Sequence, residues 1–399
     1  MKIIVQKFGG TSVANEKNRE KVISKIISKL NEGYRIVVVV SAIGREGDPY
    51  ATDSLLKLVN MNHTNQRELD LLVSCGEIIS SVVLSSQLNH KGYDTVVYNG
   101  HQAGIITDEN YGNAQILAVS PEKIISSLNQ KKIVIVAGFQ GASINGEITT
   151  LGRGGSDTSA LILGEALGCD YVEIYTDVDG IMTADPKLVP DAKLIETMCY
   201  SEVYQLAEEG AKVIHPKAVE VAERGNIKVV VKNTLSECCG TTIKHFDFYK
   251  SKNDNIISAI TYMKKRAQVT IEMDERKDNI ENLFADISNK NISIDLINLF
   301  MDKEIFTINQ NDISSIEELL ILGNYKYKII PDCCKISVVG HRMRGIPGVM
   351  ARIVKALTKE KIAILQSSDS HTTIWCLVNG KDSDKALRAL HNEFKLGSK

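Results

Sequence analysis

Four short runs of β-branched residues mark the first half of the chain: KIIVQKFGG (2–10), RIVVVVSAIG (35–44), KIVIVAGFQG (132–141) and YVEIYTDVDG (171–180). Each runs straight into a glycine-, serine- or aspartate-rich turn. Their apolar residues are consecutive, not alternating, which is the pattern of strands buried on both faces. Between them, NREKVISKIISKL (18–30) places Val22, Ile23, Ile26, Ile27 and Leu30 at helical spacing. Strands alternating with helices predict an α/β unit whose mostly parallel central sheet is covered on both faces. Open sheets of this kind bind ligands beyond the carboxyl ends of their strands, so the polar turns stand where chemistry belongs.

Near residue 245 the pattern changes. KHFDFYKSKNDN (244–255) is polar and charged and reads as a linker. The tail after it has shorter strands, fewer helices and an internal echo: ENLFADISNKNISIDLIN (281–298) aligns with ARIVKALTKEKIAILQSS (351–368). Leu283, Phe284, Ile287, Ile292 and Ile294 match Ile353, Val354, Leu357, Ile362 and Ile364. In both copies a helix ends, a charged turn follows and a strand alternates, which predicts a duplicated small α+β module.

Composition narrows the classes. A length of 399 residues implies two or three domains. With 47 Lys and Arg against 49 Asp and Glu, no global field calls for nucleic acid or an anionic membrane as partner. The first residues lack the pattern of a signal peptide, and no apolar run approaches the roughly 20 residues of a membrane span. The eight cysteines include the vicinal pairs Cys238-Cys239 and Cys333-Cys334 but no C-x-x-C, so reduced thiols in a cytoplasmic protein are expected.

The candidate chemistry lies in the turns. Lys7 and Gly9-Gly10 stand where a strand gives way to a helix opened by Thr11-Ser12, a junction that suits an anion. No G-x-x-x-x-G-K-[ST] and no G-x-G-x-x-G after a strand is present, so neither the P-loop nor the dinucleotide fingerprint explains it. TTLGRGGSDTSALILGEALG (149–168) sets Gly152, Gly154 and Gly155 around Arg153, then opens a helix with Ser156, Asp157 and Thr158. Glycines admit a close ligand and arginine offers a planar fork for carboxylate or phosphate. Thr52 and Asp53 in ATDSLL, and Glu77 and Ser80 in SCGEIIS, look like helix-start residues; for Glu77 alone, a first-turn glutamate favouring the helix dipole is the plainer reading. EIYTDVDGIMTADPK (173–187) ends a strand with Thr176-Asp177, and EEGAKVIHPKAVEVA (208–222) carries Lys212. Anion-binding turns with two cations and several acids, without a Ser-His-Asp set, clustered metal ligands or a reactive-cysteine motif, point to phosphoryl transfer.

KFGGTSVA, SAIG, ATDSLL, SCGE, GFQG, TLGRGGSDTSA, YTDVDGIMTADP and GAKVIHPKAVE, in this order, resemble the catalytic domain of the aspartokinase family within the amino acid kinase superfamily. The tail resembles the paired ACT domains of the same family. The resemblance implies a three-layer αβα catalytic domain over 1–245 and two ferredoxin-like ACT modules over 256–330 and 331–399. It implies transfer of the γ-phosphoryl of ATP to the β-carboxylate of L-aspartate, with Mg2+ carried by the nucleotide and no metal site of the protein's own. Lys7 and Asp157 would serve catalysis; Ser41, Thr52, Glu77, Arg153 and Ser156 would hold aspartate, Glu77 taking its ammonium. Lys7, Phe8, Gly9, Gly10, Thr176, Asp177, Met182, Lys187, Lys212 and Val213 would hold ATP. Met182 stands where many relatives have tyrosine and Lys187 where they have arginine, which trades a ring and a bidentate fork for a thioether and a point charge. Effectors would bind around Asp295, Asn298, Gln366, Ser368, His371 and Thr372. GREGDPYATDSLL (44–56) and ILQSSDSHTTIWCLV (364–378) resemble the diaminopimelate-sensitive isozyme, and the family implies a homo-oligomer. The second module carries a glycine turn, GIPGVMARI (345–353), whereas the first has MDERKDNIENL (273–283) without Pro-Gly.

Three rivals stand against this reading. A kinase for glutamate or acetylglutamate lacks the SCGE element and the ACT-like tail. An inactive amino-acid sensor would not need Lys7, Glu77, Arg153 and Asp157. A nicotinamide dehydrogenase would need the missing fingerprint.

Overall fold

The computed structural model describes residues 1–211, 213–245, 256–272, 280–341, 343 and 346–397. They form two units. The first contains Met1–Ile181, Leu194–Ala207 and Lys212–Ser251; the second contains Met182–Lys193, Glu208–Ala211 and Lys252–Lys399.

The first unit begins with β1 (Ile3–Phe8), the short α1 (Gly10–Val13), α2 (Glu16–Asn31) and β2 (Arg35–Val40). α3 (Thr52–Leu56) and α4 (Gln66–His90) lead to β3 (Thr95–Tyr98). β4 (Ile105–Thr107) and β5 (Ile116–Val119) precede α5 (Glu122–Asn129) and β6 (Ile133–Ala137). Then come β7 (Gln140–Ser143), β8 (Ile148–Thr150), α6 (Gly155–Leu167) and β9 (Tyr171–Thr176). β10 (Thr197–Met198), α7 (Tyr200–Glu208), α8 (Pro216–Arg224), β11 (Val229–Asn233) and β12 (Thr241–Ile243) complete the series.

Eight strands make the main sheet in the order β10-β12-β11-β9-β1-β2-β6-β3, parallel except where β11 meets β12. Every residue of β1 and β6 is buried, as consecutive apolar runs require of strands covered on both faces. Lys7 is level with Val39 on one side and Ile174 on the other, so β1, β2 and β9 end together. A second sheet, β5-β4-β7-β8, is built from strands of three or four residues. It is braced by Asp70 of α4, whose buried carboxylate accepts from the N–H groups of Gly112 at 2.9 Å and Thr150 at 2.7 Å. The four strands and the helix expected from periodicity are all present.

α4 qualifies a sequence expectation. By length and composition alone it could cross a membrane, yet 56% of its apolar window is packed inside the molecule. Leu69, Val73, Leu84 and Leu88 face the core, and the helix also buries Asp70 and Glu77. It is a core helix.

The second unit holds a six-stranded antiparallel sheet. β13 (Ile257–Glu272), α9 (Ile280–Asn289), β14 (Ile294–Leu299), β15 (Lys303–Asn309) and α10 (Ile313–Leu322) are followed by a matching series. That series is β16 (Lys326–Gly340), α11 (Val349–Lys359), β17 (Gln366–Asp369), β18 (Thr373–Asn379) and α12 (Ser383–Glu393). The sheet order is β14-β15-β13-β16-β18-β17. The sequence echo is therefore a structural repeat. Its long strands are shared: residues 266–272 of β13 pair with β15, whereas residues 257–263 pair only with the half of β16 that continues to β18. The residues 182–193 join this unit through its core. Ala184 and Val189 are buried with Ile336, Phe394 and Leu396, and the Ile260 N–H donates to the Thr183 carbonyl at 2.8 Å. Most of the expected linker (246–255) and of the first-module turn (273–279) lies outside the described residues.

Candidate active site

The turns after β1, β2, β6 and β9 gather at one edge of the main sheet. Gly10 makes a tight junction: a Cβ there would lie 2.4 Å from the Gly44 carbonyl oxygen and 2.7 Å from that of Ala42. Only glycine lets these backbones approach so closely. Beside it, Lys7 Nζ lies 2.6 Å from Asp157 Oδ1, and both side chains are largely enclosed. Asp157 is in the first turn of α6, which is entered through Gly152 and Gly154 at φ of +72° and +71°. A Cβ on Gly154 would strike the His215 side chain at 2.3 Å, so the segment around Val213 packs onto the glycine-arginine loop.

A polar cavity of about 240 Å³ opens here, lined by Lys7, Gly9, Gly10, Asp157, Thr176, Asp177 and Val213 among others. Seven expected nucleotide or catalytic residues thus share one wall. Phe8 does not: its ring is fully buried and stacks on Tyr175 at 4.7 Å, because it points into the sheet's core. Gly9 contributes less than two free amides would suggest, since its N–H donates to the Tyr175 carbonyl at 3.2 Å. Met182 and Lys187 belong to the second unit. Lys212 lies outside the described residues.

From Asp157 the polar residues continue towards β2. Ser156 Oγ lies 2.9 Å from Ser41 Oγ. The next residue, Ala42, donates its N–H to Glu77 Oε1 at 3.0 Å. Glu77 sits mid-helix in α4, not in a first turn, and Gly76 beside it gives room for Ala42 and the Tyr50 carbonyl. Only 2% of Glu77 is exposed, and Oε2 has no hydrogen-bond partner among the described residues. Burial pushes this carboxyl up to about 8. An unpartnered carboxyl oxygen in so closed a place suits a cation, whose charge would draw the proton off. Thr52 starts α3, whose Leu55 approaches Gly76. Arg153 is exposed and makes no hydrogen bond or ion pair among the described residues, so its fork is available.

The sequence reading missed Arg45. It lines the cavity, and its guanidinium lies 2.7 Å from Asp177. Burial works to raise the Asp177 carboxyl, but the Thr176 hydroxyl and Arg45 outweigh it and hold the group below its usual value. Asp70 was missed as well. Both residues act through partners far away in sequence, which periodicity and motif spacing do not register.

In the second unit, Asp295, Asn298 and Gln366 come together. Gln366 Nε2 lies 2.6 Å from Asn298 Oδ1 and also meets the Leu296 carbonyl. Lys335, nearly enclosed, lies 2.6 Å from Asp295 and 2.7 Å from Glu209. Burial raises the Asp295 carboxyl, yet Lys335 outweighs it and keeps the group low. Ser368 lies on β17, paired with Trp375, and not in the turn; His371 is exposed, and the turn that carries it is tied to β16 by the Gly340 N–H, which donates to the Thr372 carbonyl.

Known proteins show the same two-part plan. Residues 2–233 match the amino acid kinase family and residues 328–392 an ACT domain. Aspartokinase 1 of Bacillus subtilis (strain 168) is 43% identical over 402 residues, spanning 99% of this chain and 100% of that protein. The aspartokinase of Geobacillus stearothermophilus is 36% identical, spanning 99% and 98%. Among solved structures, E. coli aspartokinase III in complex with aspartate and ADP (R-state) superposes with a TM-score of 0.77 at 25% identity, covering 98% of this chain and 99% of that one. The aspartate kinase of Clostridium acetobutylicum shares the fold, with a TM-score of 0.80 at 23% identity and coverage of 98% and 100%. Likeness of this degree along the whole chain places it where its motifs pointed: it belongs to the aspartokinase family.

Proposed function

We propose that this kinase transfers the γ-phosphoryl of Mg-ATP to the β-carboxylate of L-aspartate, giving 4-phospho-L-aspartate. The observation that carries the reading is the unbroken polar run Lys7–Asp157–Ser156–Ser41–Ala42–Glu77, which joins the polar cavity of about 240 Å³ to a buried, half-unpaired carboxyl. The nucleophile is itself a carboxylate, ionised at neutral pH because such a group ordinarily titrates at about 3.9, so no general base is needed. The barrier is the approach of two anions, and Lys7 and the Gly10 turn answer it with charge and donors at the transferring group. Arg153 takes an aspartate carboxylate, Thr52, Ser41 and Ser156 supply neutral donors, and Glu77 takes the ammonium. Thr176, Asp177 and Val213 face the nucleotide, with Met182, Lys187 and Lys212 at its further contacts. Magnesium enters with the nucleotide, held by phosphates and water.

In this reading the catalytic domain spans residues 1–245 and ACT modules span 256–330 and 331–399. They bind a pathway amino acid, diaminopimelate, near Asp295, Asn298, Gln366 and residues 368–373. The enzyme is a cytoplasmic homo-oligomer that opens the route to diaminopimelate, lysine, threonine and methionine. E. coli aspartokinase III, in its complex with aspartate and ADP, gives this substrate pair a precedent.

The test is ADP release from Mg-ATP with aspartate, glutamate or acetylglutamate, repeated with aspartate plus diaminopimelate, lysine or threonine. Aspartate-specific turnover, inhibited by diaminopimelate and abolished by EDTA, is expected. Turnover with another acid would reassign the substrate. No turnover by folded protein that still binds an effector would favour the sensor.

A further inference from the structure

Besides Lys7, Arg45 is a cation on the cavity wall, and nothing so far gives it a task. The turn that carries it is built to hold it. Gly44 adopts φ of +87°, and its N–H donates to the Gly10 carbonyl at 3.0 Å. A Cβ on Gly44 would lie 2.2 Å from Asp48 Oδ2, the oxygen that accepts from the Arg45 N–H at 2.8 Å. Asp48 in turn donates its N–H to the Arg45 carbonyl. The backbone of Arg45 is thereby fixed to the glycine pair after β1, while its side chain reaches Asp177 after β9.

That reach is exchangeable. The Arg45 and Asp177 side chains are 67% and 50% exposed, and an ion pair so open to water holds weakly. Lys7 is likewise paired with Asp157, so two cations and two carboxylates balance on this wall. A polyphosphate competes well for a planar fork, because its oxygens accept two parallel N–H bonds at once.

We propose that Arg45 is a phosphate-binding residue: its guanidinium leaves Asp177 when a nucleoside triphosphate enters, and forks onto the terminal phosphoryl oxygens. This rests on the kinase reading above. In the transfer, a β-carboxylate oxygen of aspartate forms the new O–P bond as the bond from the γ-phosphorus to the bridging oxygen breaks. The electron pair leaves with ADP, and Arg45 moves no proton but neutralises the phosphoryl group in flight.

Calorimetric binding of ATP, ADP and adenosine to the full-length protein, compared with Arg45→Ala and Arg45→Lys, tests this. Arg45→Ala is expected to weaken ATP about tenfold, a bidentate charged contact's share, to weaken ADP less and to leave adenosine unchanged. Arg45→Lys should recover only part of the loss. With aspartate, kcat for Arg45→Ala should fall about 100-fold. As a surface-turn change, it should keep its melting temperature within about 2 °C. Unchanged ATP affinity, or an equal loss for all three ligands, overturns the proposal. Absence of aspartate-dependent ADP release by the unaltered protein would sink the kinase reading instead, and the ATP-to-ADP affinity ratio would still decide Arg45.

Discussion

Glu77 shows what one buried side chain commits the protein to. Its proton is retained past the ordinary value of 4.5, up to about 8, because burial disfavours the anion. The folded state therefore binds the proton more tightly than the unfolded chain. The associated stability is full below 4.5 and is lost as pH rises through about 8. Glu77→Gln should flatten this loss, as measured by urea unfolding between the two pH values. A ligand ammonium acts in the opposite sense and draws the proton off. Aspartate binding near pH 7 should thus release a proton and tighten as pH approaches 8. In Glu77→Gln the KM for aspartate should rise about tenfold or more while that for ATP holds; equal rises would remove the ammonium contact. Lys7 is only 8% exposed and faces Asp157, so its charge is held in a largely enclosed place. Lys7→Ala should cut kcat about 1,000-fold and also cost about 1–3 kcal/mol by stranding a carboxylate. Adding Asp157→Asn should restore the stability but not the rate, and recovery of both would refute the assignment. Lys7, Arg153 and Asp157 were readable from residue type beside glycine turns. Arg45 was not, because its partner lies 132 positions away.

At the level of elements, the site depends on how closely neighbouring turns approach. Gly10→Ala places a methyl against two backbone carbonyls that cannot rotate away. Overpacking of this kind costs about 1–3 kcal/mol, or several degrees of melting temperature. It should lower kcat/KM for both substrates, because the turn after β2 that leads to Glu77 and Arg45 must shift. Unaltered kinetics would mean that the two turns move independently. Four strands of the main sheet, β1, β2, β6 and β9, were visible in the sequence because burial on both faces leaves unbroken apolar runs, whereas half-buried β3 and the two-residue β10 leave no such run. β4, β5, β7 and β8 are too short to establish a period. β13 was hidden for another reason: MKKR (263–266) interrupts its apolar pattern where its pairing slips against β16. The strand is continued by its neighbours' hydrogen bonds, not by its own residues.

For the molecule as a whole, the two units do not follow the order of the chain. Lys335 serves Glu209, from one short excursion, and Asp295, from the tail, while Ser337 donates to Glu209 at 2.7 Å. Removing the lysine strands two carboxylates in a closed setting. Lys335→Ala should therefore destabilise the second unit by about 3–5 kcal/mol, visible as an earlier urea transition. Combining it with Glu209→Gln and Asp295→Asn should recover most of that loss, and no recovery would argue against a charge-based role. The excursions bear on how such proteins can be recombined. Because residues 182–193 and 208–211 fold with the tail, effector response is not a cassette that begins after the linker. An engineer who grafts a relative's tail onto this chain at residue 256 would seat foreign side chains against native Ala184, Val189 and Glu209. A working exchange has to carry three pieces of sequence together, 182–193, 208–211 and the tail, because they pack into one unit.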